Sequence, residues 1–139
     1  MGTDHEHTIV VGFDGSKGAA AALAWAVREA EMRGEKLCIV QAWTAGEFGT
    51  DAEIEAYTQS KLDTSVKEAL DGTTSVDYET LAVRGSAAKV LVEHSADADM
   101  LVVGSRGRGG FAGLLLGSVS QQVSAHAERP AVVIVHSPS

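Results

Sequence analysis

The residues able to do chemistry gather at two glycine-bearing junctions. Gly12-Phe13-Asp14-Gly15-Ser16 closes an apolar run that starts at Thr8, and Gly104-Ser105-Arg106-Gly107 closes another that starts at Met100. After nine intervening residues Gly107 is followed by Gly117 and Ser118, then Val119 and Ser120, where a helix is expected to begin. Glycine lets backbone approach a ligand closely, and the amides of a helix N-terminus bind anions. Ser118 and Ser120 add hydroxyl donors, while Arg106 and Arg108 bring positive charge to a chain whose net charge is -8. Together these groups suit a phosphate chain, with the Asp14 carboxylate facing it from the first junction.

Two familiar phosphate motifs can be set aside. No Gly-Lys-Ser/Thr occurs, so there is no P-loop. The dinucleotide spacing does occur, as Gly107-Arg108-Gly109-Gly110-Phe111-Ala112, but it precedes the last strand, and that strand ends in His136 with no acidic residue for a ribose. His94, His126 and His136 stand singly and build no triad with a serine or cysteine. His5 and His7, with Asp4 and Glu6, belong to a polar tail over residues 1–7, and Cys38 reads as a small hydrophobe within a strand. No catalytic residue and no metal cluster are assigned.

The elements that must hold these groups alternate. Thr8 to Phe13 reads as a strand, and Ser16 is an N-cap for an alanine-rich helix whose face is Ala20, Leu23, Ala24, Val27 and Ala30, stopping at Gly34. Leu37 to Trp43 is a second strand, and Asp51 to Leu70 a helix through Ile54, Tyr57, Leu62, Val66 and Leu70. Val76 to Val83 is a third strand, and Arg84-Gly85-Ser86 opens a helix with Val90 and Leu91 inside. Met100 to Val103 is the fourth strand, a helix is expected near residues 117–127, and Ala131 to His136 is the fifth strand. Strand and helix in turn predict an α/β fold, one doubly wound parallel sheet with helices on both faces. The strands are apolar throughout, as burial on both faces requires. Trp25 and Trp43 are expected to pack.

Composition narrows the partners. At 139 residues the chain is one domain, residues 8–139 after the tail. A net charge of -8 argues against a general nucleic-acid binder, which needs a basic face. A single cysteine excludes an internal disulfide and suits the reducing cytoplasm, and no apolar run is long enough to span a membrane.

Three blocks in order carry a resemblance: Val10-Val11-Gly12-Phe13-Asp14-Gly15-Ser16, Met100-Leu101-Val102-Val103-Gly104-Ser105-Arg106-Gly107 and Leu115-Leu116-Gly117-Ser118-Val119-Ser120. With G-x2-G-x9-G-Ser across the second and third, and Pro130 to Val135 at the end, the chain from Thr8 to His136 resembles the nucleotide-binding branch of the universal stress protein family. The resemblance implies strand order 3-2-1-4-5 and an adenine nucleotide, ATP, at the junction of strands one and four. By position, Asp14 approaches the ribose, with Gly12 and Phe13 along the wall. Ala42 meets adenine through its backbone. Val103, Gly104, Arg106 and Gly107 run under ribose and phosphates, and Gly117, Ser118, Val119 and Ser120 hold the phosphates. Any Mg2+ is held by the phosphates. Phe13 is bulkier than the small or β-branched residue common there, which would crowd the pocket. The family also implies a homodimer through the last strand, Ala131 to Val135. The expected role is regulatory binding in a stress response; the alternatives are a slow ATP hydrolase, a cyclic-nucleotide binder and a nucleotide-free interaction protein.

Overall fold

In a computed structural model of the chain, the described residues are 7–46, 49–70, 72, 74–105 and 131–136. They form β1 (Thr8–Gly12), α1 (Lys17–Arg33), β2 (Lys36–Trp43), α2 (Asp51–Leu70), β3 (Tyr78–Arg84), α3 (Ala87–Ser95), β4 (Met100–Gly104) and β5 (Ala131–Val135). The expected tail, apart from His7, and the expected helix near 117–127 lie outside the described residues. All five strands are parallel, in the order β3-β2-β1-β4-β5.

Strand alternation divides the core into two layers. Ile9, Val11, Leu37, Ile39, Met100 and Val102 pack with α1 and α2 on one face, while Val10, Cys38, Val40, Leu101 and Val103 pack with α3 on the other. Order and faces agree with the doubly wound reading. The chain departs from β1 toward β2 on one side and returns to β4 on the other, so the strand order reverses between β1 and β4. In open sheets of this kind a crevice for ligands lies beyond the carboxyl ends of the strands at such a reversal.

Local signals set the helix ends. The Ser16 hydroxyl accepts from the Ala19 amide at 3.1 Å, and Gly34 closes α1 in the left-handed region at φ 68°. α2 begins in a capping box: Glu53 N donates to Thr50 Oγ1 at 3.2 Å, and Thr50 N donates to Glu53 Oε1 at 2.8 Å. The Thr50 amide, and after it the Thr50 hydroxyl, hold the Glu53 carboxyl below its ordinary range.

Three details differ from the sequence reading. The buried face of α1 is Ala19, Ala22, Leu23, Ala26, Val27 and Ala30, whereas Ala20 and Ala24 are exposed. Alanine on every side of a helix gives no contrast by which to phase it. In α2 the buried row is Leu62, Val66 and Leu70, and Tyr57 is 66% exposed, since it lies off the i+4 row that runs back from Leu62 through Thr58. β3 starts at Tyr78 and not at Val76, because the Val76 amide donates to the Thr74 hydroxyl at 3.1 Å instead of joining the ladder.

The polar position on the sheetward side of α2 has a task of its own. Gln59 Nε2 donates to Thr80 O and Thr80 Oγ1, at 3.4 and 3.0 Å, and Gln59 Oε1 accepts from Ala82 N at 2.8 Å. One side-chain amide thereby meets the edge strand β3 as a neighbouring peptide group would. Asp63 joins the cluster through Gln59 and the Thr80 hydroxyl.

Two glycines let α1 sit down on β4. A Cβ built on Gly104 would lie 2.5 Å from the carbonyl oxygen of Gly18 and 2.6 Å from its carbon. Both obstacles are backbone, which cannot swing aside. Gly104→Ala is expected to destabilise the fold by about 1–3 kcal/mol or more; urea unfolding checks this, and an unchanged midpoint would remove the close contact from the account. Cys38 offers a second measurement. Burial, and then Glu79 beside it, push its thiol up to about 12. Its alkylation at pH 8 should need an opening of β2 and run roughly 10³-fold or more slower than in the unfolded chain. Comparable rates with and without urea would show that β2 is accessible.

Candidate functional site

Beyond the last ladder bonds of β1 and β2 the two chains separate, and a cavity of about 210 Å³ opens on the side of α3. Phe13 N still donates to Val40 O at 2.9 Å, which extends the ladder one residue past β1 and fixes Asp14 at the rim. Asp14 Oδ1 accepts from Ser16 N at 2.9 Å, so the turn into α1 holds the carboxylate in place. Val40, Ala42, Trp43 and Thr44 of β2 and its continuation form the floor.

The far wall is Gly85, Ser86 and Ala87 at the start of α3, with Leu91 one turn on. Gly85 N donates to Trp43 O at 2.8 Å, which ties this loop to the end of β2. Gly85 has φ 141°, a region that other residues rarely enter, and it turns the chain from β3 into the helix. Ser86 is the N-cap in position, with no side-chain capping bond of its own.

Of the residues expected at the site, Phe13, Asp14 and Ala42 line this cavity. Gly12 lies just behind it, and a Cβ there would meet Leu91 Cδ1 at 2.6 Å and Val103 Cγ1 at 3.1 Å. Its bare backbone thus lets α3 approach β1. Val103 is buried in the α3 layer and Gly104 faces α1, so both stand at the β4 side of the crevice and not in the cavity wall. Phe13 packs in the α1 layer at 7% exposure, on the same side of the strand as Ile9 and Val11. Its ring fills core beneath α1, so the bulk expected to crowd the pocket is directed to the opposite face. Arg106, Gly107, Gly117, Ser118, Val119 and Ser120 lie outside the described residues.

Sequence reasoning passed over Thr44 and the loop from Gly85 to Ala87. A signal was present: a glycine followed by a helix-capping serine, at the end of the strand beside β2. Among the described residues no three of His, Cys, Asp and Glu are grouped to hold a metal ion. Among them, too, no helix is long and apolar enough to cross a membrane.

The family model described as universal stress protein family matches residues 6–136. The chain belongs to the universal stress protein family. A universal stress protein of Mycobacterium tuberculosis is 37% identical over 130 residues, covering 90% of this chain and 44% of that protein. The chain thus spans less than half the length of that curated relative. Among solved structures, a universal stress protein in complex with cAMP is 32% identical, with a TM-score of 0.68 over 94% of this chain and 97% of that one. A universal stress protein from Lactobacillus plantarum, at 20% identity, gives a TM-score of 0.69 over 94% and 98% of the two chains and speaks for the fold alone.

Proposed function

We propose that this universal stress protein domain binds an adenine nucleotide, ATP by preference, and reports its bound state through its surface. The observation that carries the reading is the placement of Asp14. A carboxylate stands at the rim of an apolar-floored cavity beyond the carboxyl ends of β1 and β2, the end of an open parallel sheet where ligands bind. A site for phosphate alone gains nothing from a carboxylate, whereas ribose hydroxyls can donate to one. In this reading the backbone at Ala42 meets the base. Gly12 and Phe13 shape the wall, and Val103 and Gly104 lead toward the phosphates. Arg106, Gly107, Gly117, Ser118, Val119 and Ser120 supply amides, hydroxyls and charge to them. Mg2+, when it accompanies ATP, is held by the phosphates.

Cyclic AMP is the second reading, and the 32%-identical relative described with it favours it. Titration of both nucleotides by calorimetry separates the two. The rise in thermal midpoint with each ligand separates both from a nucleotide-free interaction protein. Slow hydrolysis is tested by timed phosphate release. The proposed workplace is the cytoplasm, in keeping with a lone thiol in 139 residues.

Asp14→Ala should weaken ATP by about 10- to 100-fold, because charge-assisted bonds to hydroxyls contribute about 1.5–3 kcal/mol and each 1.4 kcal/mol is tenfold. Inorganic triphosphate should bind no more weakly, since a repelling charge is gone. The same variant also loses the acceptor for Ser16 N, so Asp14→Asn, which can keep that bond, distinguishes a loosened turn from a lost ribose contact. Equal losses for ATP and triphosphate, or no loss for ATP, would sink the ribose assignment.

Assembly is proposed through β5, which is an edge of the sheet and carries the apolar run Ala131 to Val135. Light scattering at tens of micromolar should give a dimer mass, and Val133→Lys should lower it to that of one chain. A monomer mass for the unaltered protein removes this interface.

A further inference from the structure

The described sheet is bordered by β3 and β5. A border strand offers peptide groups to any chain that can lie beside it. At β3 one side of α2 reaches over that border. Asp51 Oδ2 lies 3.2 Å from Arg84 Nη1 at the carboxyl end of the strand, and Gln59 and Asp63 reach its middle.

The peptide groups of β3 that point outward follow from those that point inward. Leu37 N donates to Asp77 O at 3.0 Å, and Gly85 N donates to Trp43 O at 2.8 Å, so the odd-numbered residues serve the ladder with β2. The even-numbered residues Tyr78, Thr80, Ala82 and Arg84 turn their N–H and C=O away from it. Gln59 takes the two groups at the centre of this outward row. Its Nε2 donates to the Thr80 carbonyl at 3.4 Å, and its Oε1 accepts from the Ala82 N–H at 2.8 Å. The same Nε2 donates to Thr80 Oγ1 at 3.0 Å and to Asp63 Oδ1 at 2.9 Å, and the Thr80 hydroxyl also donates to Asp63. The amide therefore leaves the border only if this cluster breaks.

The symmetry of the row gives its two central groups a further meaning. Two copies of one strand related by a two-fold axis lie antiparallel, and each hydrogen-bonded pair of residues exchanges two bonds. With the axis at Leu81, Thr80 faces Ala82 of the second copy, and Tyr78 faces its Arg84. All four are outward-turned, so the ladder closes without a bulge. Its innermost bonds run from the Ala82 N–H of each copy to the Thr80 carbonyl of the other. Those are the two groups that Gln59 holds.

We propose that β3 is a self-complementary border that Gln59 keeps closed, and that without its amide two copies of the chain join antiparallel through β3 about an axis at Leu81. The test compares the unaltered chain with Gln59→Ala and with Gln59→Leu, which keeps the side chain's bulk and drops its amide. Light scattering at hundreds of micromolar should give either variant about twice the mass of the unaltered protein or more. Because the mass is read against the unaltered protein, assembly through β5 does not enter the comparison. The Ala82 amide should exchange its hydrogen at least roughly tenfold faster in the dilute variant than in the unaltered protein, and regain protection as the concentration rises. Tyr78→Lys, added to either variant, sets a like charge opposite Arg84 of the second copy and should return the mass to that of the unaltered protein. Tyr78 is 42% exposed, so this change spares the core. A folded variant with unchanged mass overturns the proposal, and so does growth that survives Tyr78→Lys, which marks loosened packing instead of pairing. The unaltered protein decides even where neither variant folds: an Ala82 amide that exchanges as fast as the Arg84 amide of the same border is not held by Gln59, and ends the proposal.

Discussion

The placement of the site depends on backbone lying against backbone. Where α1 begins, Gly18 rests on Gly104 at the end of β4, a contact that leaves no room for a single methyl group. The strands fix Gly104, and Gly104 in turn fixes the first turn of α1. The turn before that helix is consequently short, and Asp14 is held within it by the Ser16 amide. On the other side of the sheet the same economy recurs at Gly12, whose missing side chain admits Leu91. Both glycines read from the sequence as ligand-facing are thus also packing residues. A helix can approach each crevice strand because the side chain that would hold it off is absent.

Much of this architecture was legible in the sequence, and the reasons can be named. Strands buried on both faces give apolar runs such as MLVVG, and Ser16 and Gly34 mark the two ends of one helix by their own local chemistry. Asp14 stood out in the sequence as a carboxylate at the end of the first strand, and the structure puts it at the rim of the cavity. What failed was phasing. Alanine at 19, 20, 22, 24, 26 and 30 has one polarity on every side of α1, so only the sheet could select the buried row. The far wall of the cavity was missed for another reason. Gly85 and Ser86 are remote in sequence from Asp14, and a strand order is needed to bring them across β2. Phe13 shows the same limit: its bulk is visible in the sequence, but the face that receives it is not.

The two ends of the sheet divide the polar work of the molecule. At the carboxyl ends of the strands the backbone turns outward and leaves the cavity beside Asp14. At the amino ends the loops close tightly, and the Glu35 side chain is drawn under the edge, where water hardly reaches it. Desolvation acts on both ends with different results. At the first end the polar groups border a space of about 210 Å³. At the second, Glu35 Oε1 is buried with no hydrogen-bond partner.

The amide of Gln59 has a wider meaning for how such sheets can combine. By meeting the Thr80 carbonyl and the Ala82 N–H, it supplies to β3 what a further strand would supply. One carbonyl and one amide of that border are thereby occupied. A ribbon with two unsaturated borders can add units at both and lengthen without limit, whereas a ribbon with one has a valence of one. A strand added beside β3 would have to displace this amide. A glutamine on a helix thus does at the middle of β3 the work of a neighbouring strand.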